Sequence, residues 1–334
     1  MKGCGGMRPK IYITRKIPET ALLKLAENCD VEMWQQESIP VPRDVLEEKV
    51  RDADGLYCLL TEAIDSRLLA CAPRLRVISN MAVGYNNIDV GEASRRQIMV
   101  TNTPGVLTET TADLTFALLM AASRRIVEAS DYLRSGQWTT WSPMQLTGQD
   151  VYGASLGIIG MGRIGEALAR RAKGFNMRVL YHNRSRKEEL EGSLGLVYTE
   201  LDSLLEHSDF VSIMTPLTPE TRHLIGEREL KRMKPTAILI NTARGGIVDE
   251  QALYDALLDG TIWGAGLDVF EEEPVSLDHP LLSLPNVVTL PHIGSASIRT
   301  RTRMAELAAR SLLQGLTGDI PEHIVNKEAF VRRE

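Results

Sequence analysis

Two periodicities alternate along the chain. Short apolar runs at 11–14, 31–34, 55–60, 76–79 and 99–102 are separated by amphipathic stretches opening near Glu19, Arg43, Asp65 and Asp89. Continuous apolar runs of this length, bounded by turn residues, read as strands buried on both faces. Their alternation with helices through short links predicts a parallel sheet flanked by helices. Asn102-Thr103-Pro104-Gly105 is a turn cluster and marks a domain boundary. The helical period resumes from about 110 to 134, with Thr110 and Asp113 near its start and Leu114, Leu118, Ala121 and Ala122 on its apolar face. Residues 136–153 follow neither period and carry Trp138 and Trp141. Two tryptophans in so polar a stretch need a surface to bury them, either a second copy of the chain or a flap on its own chain. A second alternation follows, with strands at 155–159, 178–183, 210–214, 237–242, 264–269 and 287–290 and helices between them, one at 250–258. The stretch 296–318, rich in Ala, Leu and Arg, predicts a long helix that crosses back to the first domain. The pattern is that of an α/β protein with two doubly wound parallel-sheet domains, residues 1–102 with 294–334 and residues 103–293, and an arm at about 108–152.

The strand predicted at 155–159 runs into Gly160-Met161-Gly162-Arg163-Ile164-Gly165, a complete G-x-G-x-x-G. Gly160 allows a tight turn, Gly162 lets the backbone approach a pyrophosphate, and Gly165 lets the following helix sit close to the strand. The N–H groups of a helix opening at Arg163 suit a diphosphate. With a strand before it and an amphipathic helix after it, the motif predicts a Rossmann dinucleotide-binding domain; a glycine-rich turn in another α/β protein is the plainer alternative. NAD-binding folds place an acidic residue at the end of the second strand, for the ribose 2′-hydroxyl. Here that strand ends Asn183-Arg184-Ser185-Arg186, and the first carboxylate is Glu188. Guanidinium forks match phosphate geometry, so NADP(H) is expected over NAD(H), with Asn183, Arg184 and Ser185 at the 2′-phosphate. The alternative is a solvated basic turn. Thr215, Pro216, Thr242, Ala243, Asp268 and Gly294, at or after later strand ends, complete the expected cofactor contacts.

Composition narrows the class. The 334 residues are 43% hydrophobic and 25% charged, an ordinary globular mix. With 38 basic against 44 acidic residues, net −6, nothing points to nucleic acid. Cys4, Cys29, Cys58 and Cys71 form no C-x-x-C pair, so a zinc site is not expected, and scattered thiols suggest a reducing, cytoplasmic setting. Residues 1–6 read as a disordered leader without the apolar core of a signal peptide. The longest apolar run, near 114–122, is too short to span a bilayer.

Three later motifs put charge at strand ends facing the expected crevice: Asn241-Thr242-Ala243-Arg244-Gly245-Gly246, Asp268-Val269-Phe270-Glu271-Glu272-Glu273-Pro274 and Pro291-His292-Ile293-Gly294. Arg244, between an apolar strand and two glycines, is placed to meet an anion. Of six histidines, only His292 follows an apolar strand and precedes small residues. A histidine there is a natural proton donor near neutral pH, and a carboxylate beside it would raise its pKa. In the first domain, the strand ends at Leu59 and at Val83-Gly84 are the places for a ligand, and backbone N–H groups at Val83 and Gly84 could hold a small carboxylate.

These motifs together resemble the D-isomer-specific 2-hydroxyacid dehydrogenases, over nearly the whole chain from Pro9 to Asn326. Ile13-Thr14-Arg15-Lys16-Ile17-Pro18-Glu19 and Val83-Gly84-Tyr85-Asn86-Asn87-Ile88-Asp89 bring it closest to the glyoxylate/hydroxypyruvate reductases. The resemblance implies a Rossmann domain inserted in a flavodoxin-like substrate domain, with Asp268 on the nicotinamide side. It implies that Arg244 pairs with the substrate carboxylate and polarises the carbonyl, and that His292 donates the proton as hydride arrives. Glu273 is the glutamate that would hold His292, chosen from its neighbours only by the motif's alignment on Pro274. It further implies substrate contacts from Leu59 and the Val83 and Gly84 amides, a homodimer built by the arm, and Trp141 reaching the partner's active site. No metal and no membrane is implied. The resulting expectation is an NADPH-preferring reductase taking glyoxylate to glycolate and hydroxypyruvate to D-glycerate. Rivals are a D-lactate, phosphoglycerate or phosphite type of dehydrogenase, and a corepressor-like nucleotide sensor.

Overall fold

A computed structural model describes residues 8–330; the leader reading and Cys4 lie outside the described residues. The chain up to Leu107 and from Ser297 onward forms one compact unit, and Thr108–Ala296 forms the other. These boundaries lie a few residues beyond the 102 and 294 read from the sequence. The turn cluster stays with the first sheet, where Thr103 N donates to Ala82 O and Asn102 N to His323 O.

The first unit contains β1 (Lys10–Ile13), α1 (Glu19–Asn28), β2 (Asp30–Met33), α2 (Arg43–Lys49), β3 (Gly55–Cys58), α3 (Ser66–Ala70), β4 (Val77–Asn80), α4 (Val90–Arg95) and β5 (Met99–Thr101). The strands pair in parallel in the order β2-β1-β3-β4-β5, the flavodoxin-like order. Every residue of β3 and β4 is buried, which is why these strands are continuous apolar runs. Asp65 and Asp89 cap α3 and α4, accepting from Leu68 N and Glu92 N. One sheet face is covered by Leu46, Ile64, Leu68, Ile88 and Ile98. The other is covered by the C-terminal helix, Ile298–Thr317. Its buried face is mostly small, with Ala305, Ala308, Ala309 and Gly315. The sheet side chains Tyr57 and Ser79 therefore reach its backbone, donating to Ala305 O at 3.2 Å and Ala308 O at 2.8 Å.

The second unit contains α5 (Thr108–Ser123), α6 (Ile126–Arg134), β6 (Ser155–Ile159), α7 (Arg163–Gly174), β7 (Arg178–His182), α8 (Glu188–Leu194), β8 (Val197–Tyr198), α9 (Leu201–His207), β9 (Phe210–Ile213), α10 (Glu227–Leu230), β10 (Ile238–Asn241), α11 (Glu250–Leu258), β11 (Gly264–Leu267) and β12 (Val287–Thr289). Its parallel sheet runs β12-β11-β10-β9-β6-β7-β8. Strand order reverses between β6 and β9, the switch point at which doubly wound sheets bind nucleotides.

The helix expected over 110–134 is two helices, α5 and α6. Arg125 between them is left-handed, with φ 51°. The cause is the returning loop: Gln149 N donates to Ser123 O at 2.9 Å, and a side chain at Gly148 would strike that carbonyl. Arg125 then holds Glu128 with two hydrogen bonds. α6 buries none of its side chains, leaving Ile126, Val127 and Leu133 exposed. Trp138 and Trp141 are 57% and 74% exposed, so the flap alternative fails and their own chain does not bury them. Among the described residues, no helix is long and apolar enough to cross a membrane.

Candidate active site

The β6–α7 turn is built as its glycines require. Gly160 has φ +100°, and a Cβ there would lie 2.7 Å from Met214 C and Thr215 N. This glycine therefore brings the turn against the end of β9, where Thr215 and Pro216 begin the next loop. A Cβ at Gly165 would meet Gly160 O at 2.6 Å, so α7 sits tight on the turn. Gly162 faces open space and caps α7 without a side-chain bond. The first-turn N–H groups of Arg163, Ile164 and Gly165 therefore have no capping side chain, an arrangement that fits the diphosphate of a dinucleotide.

At the end of β7, Asn183 Nδ2 donates to Ser185 O at 2.9 Å, folding the loop on itself. Arg184 and Ser185 are exposed. Arg186, read with Arg184 as a phosphate fork, is engaged elsewhere: it is ion-paired to Glu191 and lies 5.6 Å from the centre of the Tyr198 ring. Glu191 follows a full turn into α8, a pairing that a search confined to the strand end does not reach. Arg184 is thus the guanidinium left at the tip, and its charge adds to the effect of the Thr218 hydroxyl in lowering the pKa of Glu220.

Arg244 follows β10 in a turn tied by Asn241, whose side chain accepts from Ala243 N and donates to Arg244 O. The Thr242 hydroxyl shares a 2.7 Å hydrogen bond with Thr115 of α5. The guanidinium donates to Ala243 O at 2.7 Å. Burial lowers its pKa and the charge of Glu273 opposes that. A Cβ at Gly245 would lie 1.8 Å from Phe270 O, so only glycine lets this turn close on the next one.

In that next turn, Glu273 Oε1 accepts from Phe270 N at 3.0 Å, and Oε2 lies 2.6 Å from His292 Nδ1. Of the three adjacent glutamates, Glu273 alone reaches His292; Glu271 bonds His223 at 2.7 Å. Burial acts to raise the Glu273 pKa, but the His292 bond and charge, the Phe270 amide and Arg244 outweigh it, and the net shift is downward. His292 itself has a left-handed backbone, φ 54°, which is unusual for a residue with a Cβ. Asp268 holds it there. Asp268 O accepts from His292 N at 2.9 Å, and its two carboxylate oxygens accept from Ile293 N and Gly294 N at 2.7 Å each. Burial raises the pKa of this fully buried carboxyl, partly offset by those amides and by His292. Thr115 and this clamp were not read from the sequence, because their partners are far away along the chain; Asn241, whose partners are two and three residues on, stood in its motif without a role.

In the first unit, Leu59 and the Val83-Gly84 peptide lie in the loops that follow β3 and β4. Glu62 accepts from Leu59 N at 2.9 Å and from the Thr14 hydroxyl at 2.7 Å, and pairs with Arg15 at 3.3 Å. Asn87 Nδ2 donates to both Leu59 O and Glu62 O, tying the two loops together. Among the described residues, no group of three or more His, Cys, Asp or Glu is placed to hold a metal ion.

Comparison with known proteins agrees with this architecture. Residues 116–294 match the NAD-binding domain of the D-isomer-specific 2-hydroxyacid dehydrogenases. A glyoxylate reductase of Korarchaeum cryptofilum is 56% identical over 323 residues, 96% of this chain and 97% of the relative. A Thermus thermophilus protein of known crystal structure superposes with TM-score 0.88 at 46% identity, covering 95% of this chain and 99% of that one. An NADPH-dependent glyoxylate/hydroxypyruvate reductase of Sinorhizobium meliloti, crystallised with NADP and malonate, superposes with TM-score 0.85 at 36% identity, over 98% and 99% of the two chains.

Proposed function

The chain belongs to the D-isomer-specific 2-hydroxyacid dehydrogenases, and from that premise we propose that it reduces small 2-oxo acids, glyoxylate and hydroxypyruvate, with NADPH preferred over NADH. The observation that carries the reading is the 2.6 Å Glu273–His292 pair beside the turn that holds Arg244. These are an acid, its anchor and a cation, on adjacent strand ends of a nucleotide-binding fold.

Each residue has a task in that reading. Arg244 pairs with the carboxylate of the substrate and polarises the neighbouring carbonyl. A nicotinamide bound at the glycine turn would supply the hydride that reduces the carbonyl carbon. The carbonyl π pair moves onto oxygen, and His292 gives that oxygen its proton, so that the 2-oxo acid becomes a 2-hydroxy acid. With Nδ1 committed to Glu273, Nε2 is the nitrogen that donates. Glu273 stabilises the charged imidazolium before transfer. The products are glycolate and D-glycerate. Val83 and Gly84 N–H groups also hold the substrate carboxylate, and Leu59 is a further substrate contact. Gly160, Gly162, Arg163, Ile164 and Gly165 cradle the diphosphate, while Asn183, Arg184 and Ser185 meet the 2′-phosphate. Thr215, Pro216, Thr242, Ala243, Asp268 and Gly294 line the rest of the cofactor. The exposed apolar residues of α6 and of the loop after it pack against a second copy of the chain, and Trp141 is carried to the partner's site.

The test is initial rate with glyoxylate and with hydroxypyruvate, each with NADPH and NADH, followed by loss of reduced-nicotinamide absorbance. Faster turnover with NADPH supports the whole reading. Turnover with NADH alone keeps the reaction and overturns the role given to Arg184. No turnover with either acid overturns the substrate assignment.

A further inference from the structure

The loop after β4 holds a set of side-chain bonds that the reaction above does not use. Three consecutive carbonyls are tied down: Ala82 O by Thr103 N at 2.8 Å, Val83 O by Asn102 Nδ2 at 2.8 Å and Gly84 O by Asn80 Nδ2 at 2.9 Å. All three donors sit at the adjoining ends of β4 and β5, where Ser79 pairs with Thr101. In a trans peptide the N–H points opposite to the carbonyl. Fixing these carbonyls toward the sheet therefore turns the N–H groups of Val83, Gly84 and Tyr85 away from it together. Among the described residues, none of these N–H groups has an acceptor. A run of parallel N–H groups of this kind is an anion-binding concavity.

Asn80 is itself held in one orientation. It is fully buried, and its Oδ1 faces the Cys58 sulfur at 3.8 Å. Burial keeps the Cys58 thiol protonated, so it presents S–H to the amide oxygen and leaves Nδ2 for Gly84.

We propose that Asn80 and Asn102 are positioning residues for the substrate carboxylate: through the carbonyls of Gly84 and Val83 they aim three backbone N–H groups, Tyr85 included, at one small anion. The inference rests on the reductase reading for the identity of that anion. It requires no side-chain contact between either asparagine and substrate. An asparagine at each position supplies a neutral donor to a carbonyl, which aspartate cannot do while ionised.

Two measurements test it. In Asn102→Ala and in the near-isosteric Asn80→Asp, KM for glyoxylate should rise about tenfold, the loss of one aligned hydrogen bond. Their kcat should stay within about twofold and KM for NADPH should not move. Asn102→Gln, which keeps the donor, should recover much of the loss. Unchanged glyoxylate KM in folded Asn102→Ala and Asn80→Asp, or equal losses in every parameter, would overturn the proposal. Amide-resolved NMR of the wild type with oxamate tests it without turnover or mutation. The Val83, Gly84 and Tyr85 N–H signals should move together, and their failure to move in an enzyme that reduces glyoxylate would also overturn it. If they move in a protein that reduces no 2-oxo acid, the peptide arrangement stands and the reductase reading falls.

Discussion

Arg244 follows a strand whose every residue is buried, and the turn that carries it is held by Asn241. A guanidinium so placed has little freedom and meets an anion already oriented. Arg244→Ala should therefore lower kcat/KM for glyoxylate by about 10³-fold with the fold intact by circular dichroism. Activity surviving within about tenfold would remove Arg244 from the mechanism. Glu273 gives a prediction with a sign. Its pKa in the fold is below the ordinary value, because the favourable His292, Phe270 and Arg244 interactions outweigh burial. The unfolded chain has the ordinary value, near ~4.3. Ionised Glu273 thus stabilises the fold above that pH, and the contribution disappears as pH falls through the lower, folded value. Wild type should exceed Glu273→Gln in urea stability by about 1–3 kcal/mol at neutral pH. The gap should close as the medium is acidified below ~4; a gap of constant size would assign it to packing rather than charge. The Arg244, His292 and G-x-G-x-x-G positions were legible in the sequence because each sits in a local motif. The link between Asp268 and Gly294 was not, since 26 residues separate them and only the β11–β12 pairing brings them together.

Elements are where local period and tertiary packing part company. Strands β3, β4 and β10 were legible because both their faces are covered, which leaves an unbroken apolar run. β8, two residues at the sheet edge, has no period to detect. The break between α5 and α6 was hidden because apolar spacing continues across it; the loop that needs Ser123 O comes from residue 149. The Gly245 turn shows what close approach demands of a sequence. Gly245→Ala puts a Cβ inside the Phe270 carbonyl, so the turns carrying Arg244 and Glu273 must separate, with a stability loss of about 3 kcal/mol and, on the proposed mechanism, loss of turnover. Gly174→Ala is the control, at the end of α7 with nothing within 4 Å. It should be neutral or stabilising by up to about 1 kcal/mol in the same urea titration. Equal losses in both variants would show that glycine substitution, not the Phe270 contact, is responsible.

For the whole molecule, the apolar surface of the arm requires cover. Ile126, Val127, Leu133, Trp138 and Trp141 are exposed within one sequence segment, and a monomer with that much apolar surface in one place is disfavoured in water. Sedimentation velocity at micromolar protein should give a mass near twice 37.0 kDa. Ile126→Glu combined with Leu133→Glu should shift it toward 37.0 kDa. A wild type that already sediments at the smaller mass would end the dimer proposal.

The sequence by itself determined the two alternating strand–helix series, the glycine turn at the switch point and the three charged strand ends. Each of these is written in residues close together, where spacing alone reports burial and backbone conformation. The motif's alignment on Pro274 singles out Glu273, and the structure bonds it to His292; only the tertiary structure decided what keeps His292 in a left-handed conformation, that Arg186 belongs to Glu191, and that Asn80 and Asn102 turn the Val83–Tyr85 peptides. Apart from the Arg186–Glu191 and Asn80–Gly84 bonds, which are local, those outcomes depend on segments that meet at the ends of neighbouring strands. The physical reason is that a hydrogen bond is set by distance and direction in space, and a one-dimensional pattern carries neither until the strands have been placed side by side.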